Sequence, residues 1–141
     1  MTTIEIINKY FTDNDGFENK FNPPATPEQI AVVEKYFGIT LPADYKDFLL
    51  YTNGFEYRGY EFNNVETIPE LTDGYCGEFF PWAVHIGGNG GGEMFVIDKR
   101  QSPYQFGILP YVADEEDFLP LGNTFEELIK RLHDDTIFDR L

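Results

Sequence analysis

Few residues in this 141-residue chain have the type and spacing that chemistry needs, and the most conspicuous are the glycines of Gly87-Gly88-Asn89-Gly90-Gly91-Gly92. Consecutive exposed amides can cradle an anion. A phosphate loop carries Lys-Ser/Thr and opens a helix, and a dinucleotide turn also opens a helix, whereas Glu93-Met94-Phe95-Val96 opens a strand here. Glu93 would repel phosphate as well. The expected role is a strand-connecting turn with positive φ at several positions. His85 falls in a strand pattern and His133 at the C-terminal end of the last helix, where it complements the dipole. Neither has neighbours at metal-ligand spacing, so both are expected to be structural. Cys76 is the single cysteine, which excludes an intrachain disulfide, and no activating motif makes it a nucleophile beside His85. Asp13-Asn14-Asp15-Gly16 could open a calcium loop, but Lys20 and Pro24 stand where the closing carboxylate is required, so a plain turn is expected. The run Asp114-Glu115-Glu116-Asp117 could bind a divalent cation or form a solvated rim; with no second ligand group in view, the rim is preferred. No enzyme class is supported, and no cofactor or metal is expected.

Charge is more informative. The chain has 25 acidic and 10 basic residues, a formal net charge of −15. From Gly59 to Ile129 there are 13 acids against Lys99 and Arg100 alone, so that segment carries −11. Nucleic acid and anionic lipid both bind through Lys and Arg, so neither is an expected partner. A basic protein is the partner that such a field attracts. No run of about 18 apolar residues suggests a membrane span, and Met1-Thr2-Thr3 lacks the regions of a signal peptide. With one cysteine and no such signal, a cytoplasmic location is expected.

The elements that must position any site can be read from caps and periodicity. Thr26-Pro27-Glu28-Gln29 opens a helix through a capping box, with Ile30, Val33 and Phe37 on one face and Gly38 as its stop. A second helix follows, with Pro42 in its first turn, Asp44 near its positive end, Tyr45, Phe48 and Leu49 at helical spacing, and Asn53-Gly54 ending it. Neither is long enough to be stable alone, so both need a shared support. The strand-rich half after Gly54 is the candidate. Phe55 to Phe62 reads as a strand or hairpin broken at Gly59, Val65 to Leu71 as a short strand or ordered connection, and Thr72 to Pro81 as a loop. Trp82, Val84 and Ile86 alternate with Ala83 and His85 as a half-buried strand would. Met94 to Ile97 is apolar throughout, as expected of a central strand, and Tyr104 to Leu109 is another strand. Pro110 to Asp117 is an acidic loop, and Leu119 and Leu121 return to the core. Thr124 and Glu127 then form a capping box on a last helix with Phe125, Leu128, Ile129 and Leu132 inward. An N-terminal helix over Thr3 to Phe11 and docking of Ile137, Phe138 and Leu141 are also expected. The length suits one domain, 1–141.

Three blocks in order carry a family resemblance. Phe37-Gly38-Ile39-Thr40-Leu41-Pro42-Ala43-Asp44-Tyr45-Lys46-Asp47-Phe48-Leu49 with Thr52-Asn53-Gly54, then Ile86 to Glu93 with Phe95-Val96-Ile97-Asp98, then Pro120 to Leu128 resemble the motifs of the SUKH superfamily. This is the fold of fungal Smi/Knr-type cell-wall regulators and of many bacterial immunity proteins. The resemblance implies an α+β domain: a curved, mainly antiparallel sheet with the N-terminal helices and a C-terminal helix packed on it, and no enzymatic activity. It also implies an immunity protein that binds and neutralises a basic toxin domain, a nuclease being the expected class. An adaptor or regulatory scaffold binding a host protein is the alternative. A pocket near His85 and the glycine turn would favour a small-ligand binder or enzyme instead. The segment Glu56 to Pro81 matches least. The expected contacts are Tyr57, Tyr60, Glu61, Asp73, Tyr75, Glu78, Asp114, Glu115, Glu116 and Asp117, with tyrosines as anchors and carboxylates matching Lys or Arg.

Overall fold

The computed structural model describes residues 5, 7–9, 20–57, 59–134 and 136–137. Helix α1, Pro27–Phe37, begins with the expected box: the Gln29 amide donates to Thr26 Oγ1 at 3.2 Å, and the Thr26 amide donates to Gln29 Oε1 at 2.9 Å. Gly38 closes it at φ 66°, which lets the Ile39 amide reach back to the Glu34 carbonyl at 3.0 Å. The Glu34 carboxylate also accepts from the Leu41 amide at 2.7 Å, so one residue braces the turn into α2, Ala43–Tyr51. Pro42 gives α2 no side-chain cap, and Asp44 in its first turn does not cap it either. Asp44 Oδ2 instead accepts, at 3.0 Å, from the Glu126 amide in the first turn of the last helix.

Among the described residues, seven strands form one antiparallel sheet in which each strand pairs with the next in chain order. They are β1 Lys20–Phe21, β2 Phe55–Tyr57, β3 Tyr60–Phe62, β4 Ala83–Gly88, β5 Glu93–Asp98, β6 Gln105–Pro110 and β7 Leu119–Gly122. Between β3 and β4 lies helix α3, Ile68–Tyr75, and after β7 comes α4, Phe125–His133. The sheet is covered on both faces. On one face Phe62, Val84, Ile86, Phe95, Ile97, Phe106 and Ile108 meet Val33, Tyr45, Phe48, Leu49, Phe125 and Leu128 from α1, α2 and α4. On the other, Ala83, Met94, Val96 and Leu109 meet Cys76, Phe80 and Trp82. The continuous apolar run of β5 is thereby explained, since Met94 and Val96 enter one cluster while Phe95 and Ile97 enter the other. Phe118 lies over Gly107 on this second face, where any Cβ would come within 2.3 Å of its ring.

Four expectations change. The stretch expected as a strand or connection (Val65 to Leu71) followed by a loop (Thr72 to Pro81) is instead α3 from Ile68 to Tyr75 and a turn after it. Ile68 and Thr72 are its buried positions, a spacing of four that suits a helix, and Pro69 sits in the first turn where it costs no hydrogen bond. β4 is buried on both faces, not half-buried, because α3 covers the side that bears His85. Thr124 Oγ1 accepts from the Glu127 amide at 3.1 Å, but the Glu127 carboxylate returns to the Asn123 amide at 3.3 Å, so the box closes one residue early. Only Asn89 to Gly92 belong to the turn between β4 and β5, with positive φ at Gly90 and Gly92. Glu5 and residues 7–9 are helical, and Ile7 and Ile137 are buried in the main core. The expected turn at 12–16, the remainder of the first helix and the docking of Phe138 and Leu141 lie outside the described residues.

An acidic and aromatic face on the second layer

Helix α3 is fixed to β4 by one polar contact at a place where the strand pairing is irregular. The register of β4 against β5 shifts between His85 and Gly87, and the His85 amide donates to Thr72 Oγ1 at 2.9 Å. The His85 ring is buried beneath Tyr75, with centroids 5.3 Å apart and planes 23° apart. Tyr111, just past β6, packs against Tyr75 at 4.6 Å between centroids. Asn63 Nδ2 lies 2.7 Å from His85 Nδ1 and 3.5 Å from the His85 carbonyl. An amide nitrogen only donates, so Nδ1 accepts and the ring proton resides on Nε2, which points at Tyr111 Oη 3.4 Å away. Burial pushes the His85 pKa down to about 4, so the imidazole is neutral at pH 7. The Tyr111 phenol is raised, by burial first and then by Tyr75, Glu61 and Cys76, and stays protonated.

Around these rings stand the acids. Glu61 lies on β3 opposite Glu56 of β2 and Gly88 of β4, with its side chain on the second face. Gly88 has no side chain to fill the space beside it, and Tyr111 Oη occupies that space, 3.2 Å from where a Cβ would stand. Asp73 and Tyr75 are exposed on α3, and the Asp73 carboxylate accepts a hydrogen bond from the Tyr36 hydroxyl on α1. Glu78 and Phe79 are exposed in the turn that follows. The acidic run forms a short 3-10 turn, Glu115–Asp117, in which the Asp114 amide donates to Asp117 Oδ2 at 2.8 Å. Arg100 ties this run to the layer: its guanidinium lies 3.8 Å over the Trp82 ring, pairs with buried Asp98 at 2.9 Å, and reaches Glu115. Among the described residues, Glu61, Asp73, Glu78, Asp114, Glu116 and Asp117 have no Lys or Arg partner.

The expected contacts thus divide. Glu61, Asp73, Tyr75 and Glu78 gather around α3 and the outer side of β3, while Asp114, Glu115, Glu116 and Asp117 edge the same layer at Trp82 and Phe118. Glu115 is already neutralised by Arg100. Tyr57 is wholly buried and cannot be a surface anchor; Tyr60 is half-buried and packs on Phe95. The pleat explains both, because Tyr57 and Tyr60 are paired across the β2–β3 hairpin and point with Phe55 and Phe62 to the main core, leaving Glu56 and Glu61 outside. The reading from residues missed Tyr111, Phe79 and Val112. Phe79 and Val112 are 79% and 97% exposed, and an apolar side chain one or two residues from an acid is the only signal either had.

Chemistry is correspondingly sparse. Burial raises the Cys76 thiol to about 11, outweighing the opposite pull of Lys99, so it is protonated at neutral pH and packs 3.9 Å from Met94 Sδ. His133 Nδ1 lies 3.2 Å from Asp134 Oδ1 at the end of α4. Among the described residues no three His, Cys, Asp or Glu side chains are grouped as a metal ion would require, and no helix is long and apolar enough to cross a membrane. A shallow cavity of about 230 Å³ opens beside Glu56, Glu61, Asn63 and Thr67, and its lining includes neither His85 nor the glycine turn.

Comparison with known proteins agrees with the family motifs. The SMI1 / KNR4 family (SUKH-1) model matches residues 24–131. A Bacillus subtilis (strain 168) protein whose name reads "Uncharacterized protein YnaB" is 36% identical over 110 residues, covering 75% of this chain and 74% of the relative. The chain belongs to the SMI1/KNR4 (SUKH-1) family, and its α+β architecture, with helices from both ends of the described chain on an antiparallel sheet, is the one the motifs implied.

Proposed function

We propose that this SUKH-1 protein is a non-enzymatic immunity protein of the cytoplasm that binds a basic toxin domain, a nuclease above all, and blocks its active site. The observation that carries the reading is the set of carboxylates that, among the described residues, have no Lys or Arg partner around exposed Tyr75, Phe79 and Val112. Folding leaves those charges mutually repelling and uncompensated. A cationic partner relieves that repulsion, and apolar side chains inside a charged rim are the arrangement of a protein interface. A nuclease presents Lys and Arg where its phosphates bind, so the face that would exclude nucleic acid suits the protein that cleaves it.

The test is inhibition. The toxin domain encoded beside this gene is assayed on its substrate with increasing amounts of this protein, and activity is expected to vanish near one equivalent. Full activity at saturation overturns the proposal. Tight binding with activity retained would replace it by an adaptor that docks a partner through the same face.

A further inference from the structure

We infer that the corner between Tyr75, Tyr111 and Glu61 is a seat for an arginine side chain of the protein partner. The inference deepens the reading above and rests on it for the partner's being a protein, though its chemistry is argued separately. Tyr75 is 49% exposed, yet its inner side is fixed on His85 and its edge on Tyr111, tilted by 52°. It is therefore a rigid aromatic surface that loses little entropy when covered. His85 behind it is neutral and adds no positive charge. Glu61 stands across from Gly88, whose missing side chain leaves the space that Tyr111 Oη occupies, and it has no Lys or Arg of its own among the described residues.

An aromatic floor with a carboxylate at its edge matches a guanidinium, which stacks as a plane and donates from its rim. The molecule builds the same arrangement once internally. Arg100 lies 3.8 Å over Trp82 and donates twice to Asp98, at 3.0 Å from Nε and 2.9 Å from Nη2. The second aromatic surface on this layer has the floor and the acid, and among the described residues no Lys or Arg fills it. A nucleobase would also stack on tyrosine, but its phosphates would meet the acids. A lysine would satisfy Glu61 but could not stack. The run Asp114 to Asp117 lacks an open ring, since Arg100 already covers Trp82, so it steers the partner and does not seat it.

The probe is the blocked tripeptide acetyl-Gly-Arg-Gly-amide, titrated into the isotope-labelled full chain and followed by NMR, with lysine and citrulline versions as controls. Saturable shifts at Tyr75, Tyr111 and Glu61 are expected with arginine, weaker ones with lysine and none with neutral citrulline. Tyr75→Ala is expected to weaken arginine binding about fivefold, and Glu61→Gln, at an exposed position that leaves packing intact, to weaken it as well. Equal binding of arginine and lysine, shifts centred on Asp114 to Asp117, or unchanged affinity in both variants would overturn the inference. A seated arginine peptide beside an uninhibited toxin would sink the proposed function and leave the seat standing. Toxin inhibition unaffected by both variants, with no peptide bound, would do the reverse.

Discussion

His85 carries a pH signature because it is neutral by burial. Its pKa is pushed down to about 4, whereas in the unfolded chain it is near 6.5, so between those values the unfolded state binds the extra proton. Stability from this residue is complete above about pH 6.5 and is lost as the pH falls toward 4, by at most about 3 kcal/mol. Urea unfolding of the parent and of His85→Gln is expected to show the parent losing more stability than the variant across that window. Parallel pH curves would mean that His85 is already wet in the folded protein. Residue identity alone misled for the tyrosines. Tyr57, Tyr60, Tyr75 and Tyr111 look alike along the chain, yet pleat parity sends the first two toward the main core while a helix end and a strand exit bring the last two together. The acids were easier to place, because a carboxylate without a partner is costly to bury, and all seven of those expected as contacts are exposed.

Elements were legible where a cap or a period was strong. Thr26, Gln29 and Gly38 bound α1 as expected, and the alternation in β4, the apolar run of β5 and the apolar residues of β6 marked real strands. Helix α3 was not legible, because eight residues containing Pro69 and Gly74 offer barely two turns of pattern, and its stability comes from the face of β4 beneath it. Asp44 shows the same dependence on partners. It reads as an acid at its own helix start but caps α4, so Asp44→Ala is expected to cost about 1 kcal/mol by leaving the Glu126 amide unpaired. Hydrogen exchange should quicken in the first turn of α4 and not of α2; the opposite pattern would refute this assignment. Gly87 permits the close approach of β3 to β4, since a Cβ there would lie 2.1 Å from the Glu61 carbonyl. Gly87→Ala is expected to cost roughly 1–3 kcal/mol in urea unfolding and to disturb Glu61, while an unchanged midpoint would show that the strands can part freely.

At the scale of the whole molecule, negative charge acts on both stability and encounter. With a formal net of −15, the folded chain repels itself, so its thermal midpoint is expected to rise when roughly 0.05 M sodium chloride is replaced by roughly 0.5 M. The same salt should slow association with a basic partner by about tenfold or more, and the triple change Asp114→Asn, Glu116→Gln, Asp117→Asn should flatten that dependence. Stopped-flow rates indifferent to salt would remove electrostatics from the encounter. Residue order alone determined the family, the caps of α1, the central strands and the sign of the field, because each depends on local pattern or on a sum over the chain. Only the tertiary structure decided which carboxylates remain without a cation, which tyrosines face outward, and that α3 brings Tyr75 against His85 and Tyr111. Those outcomes depend on strand parity and on contacts between segments distant in sequence, and no local pattern encodes them.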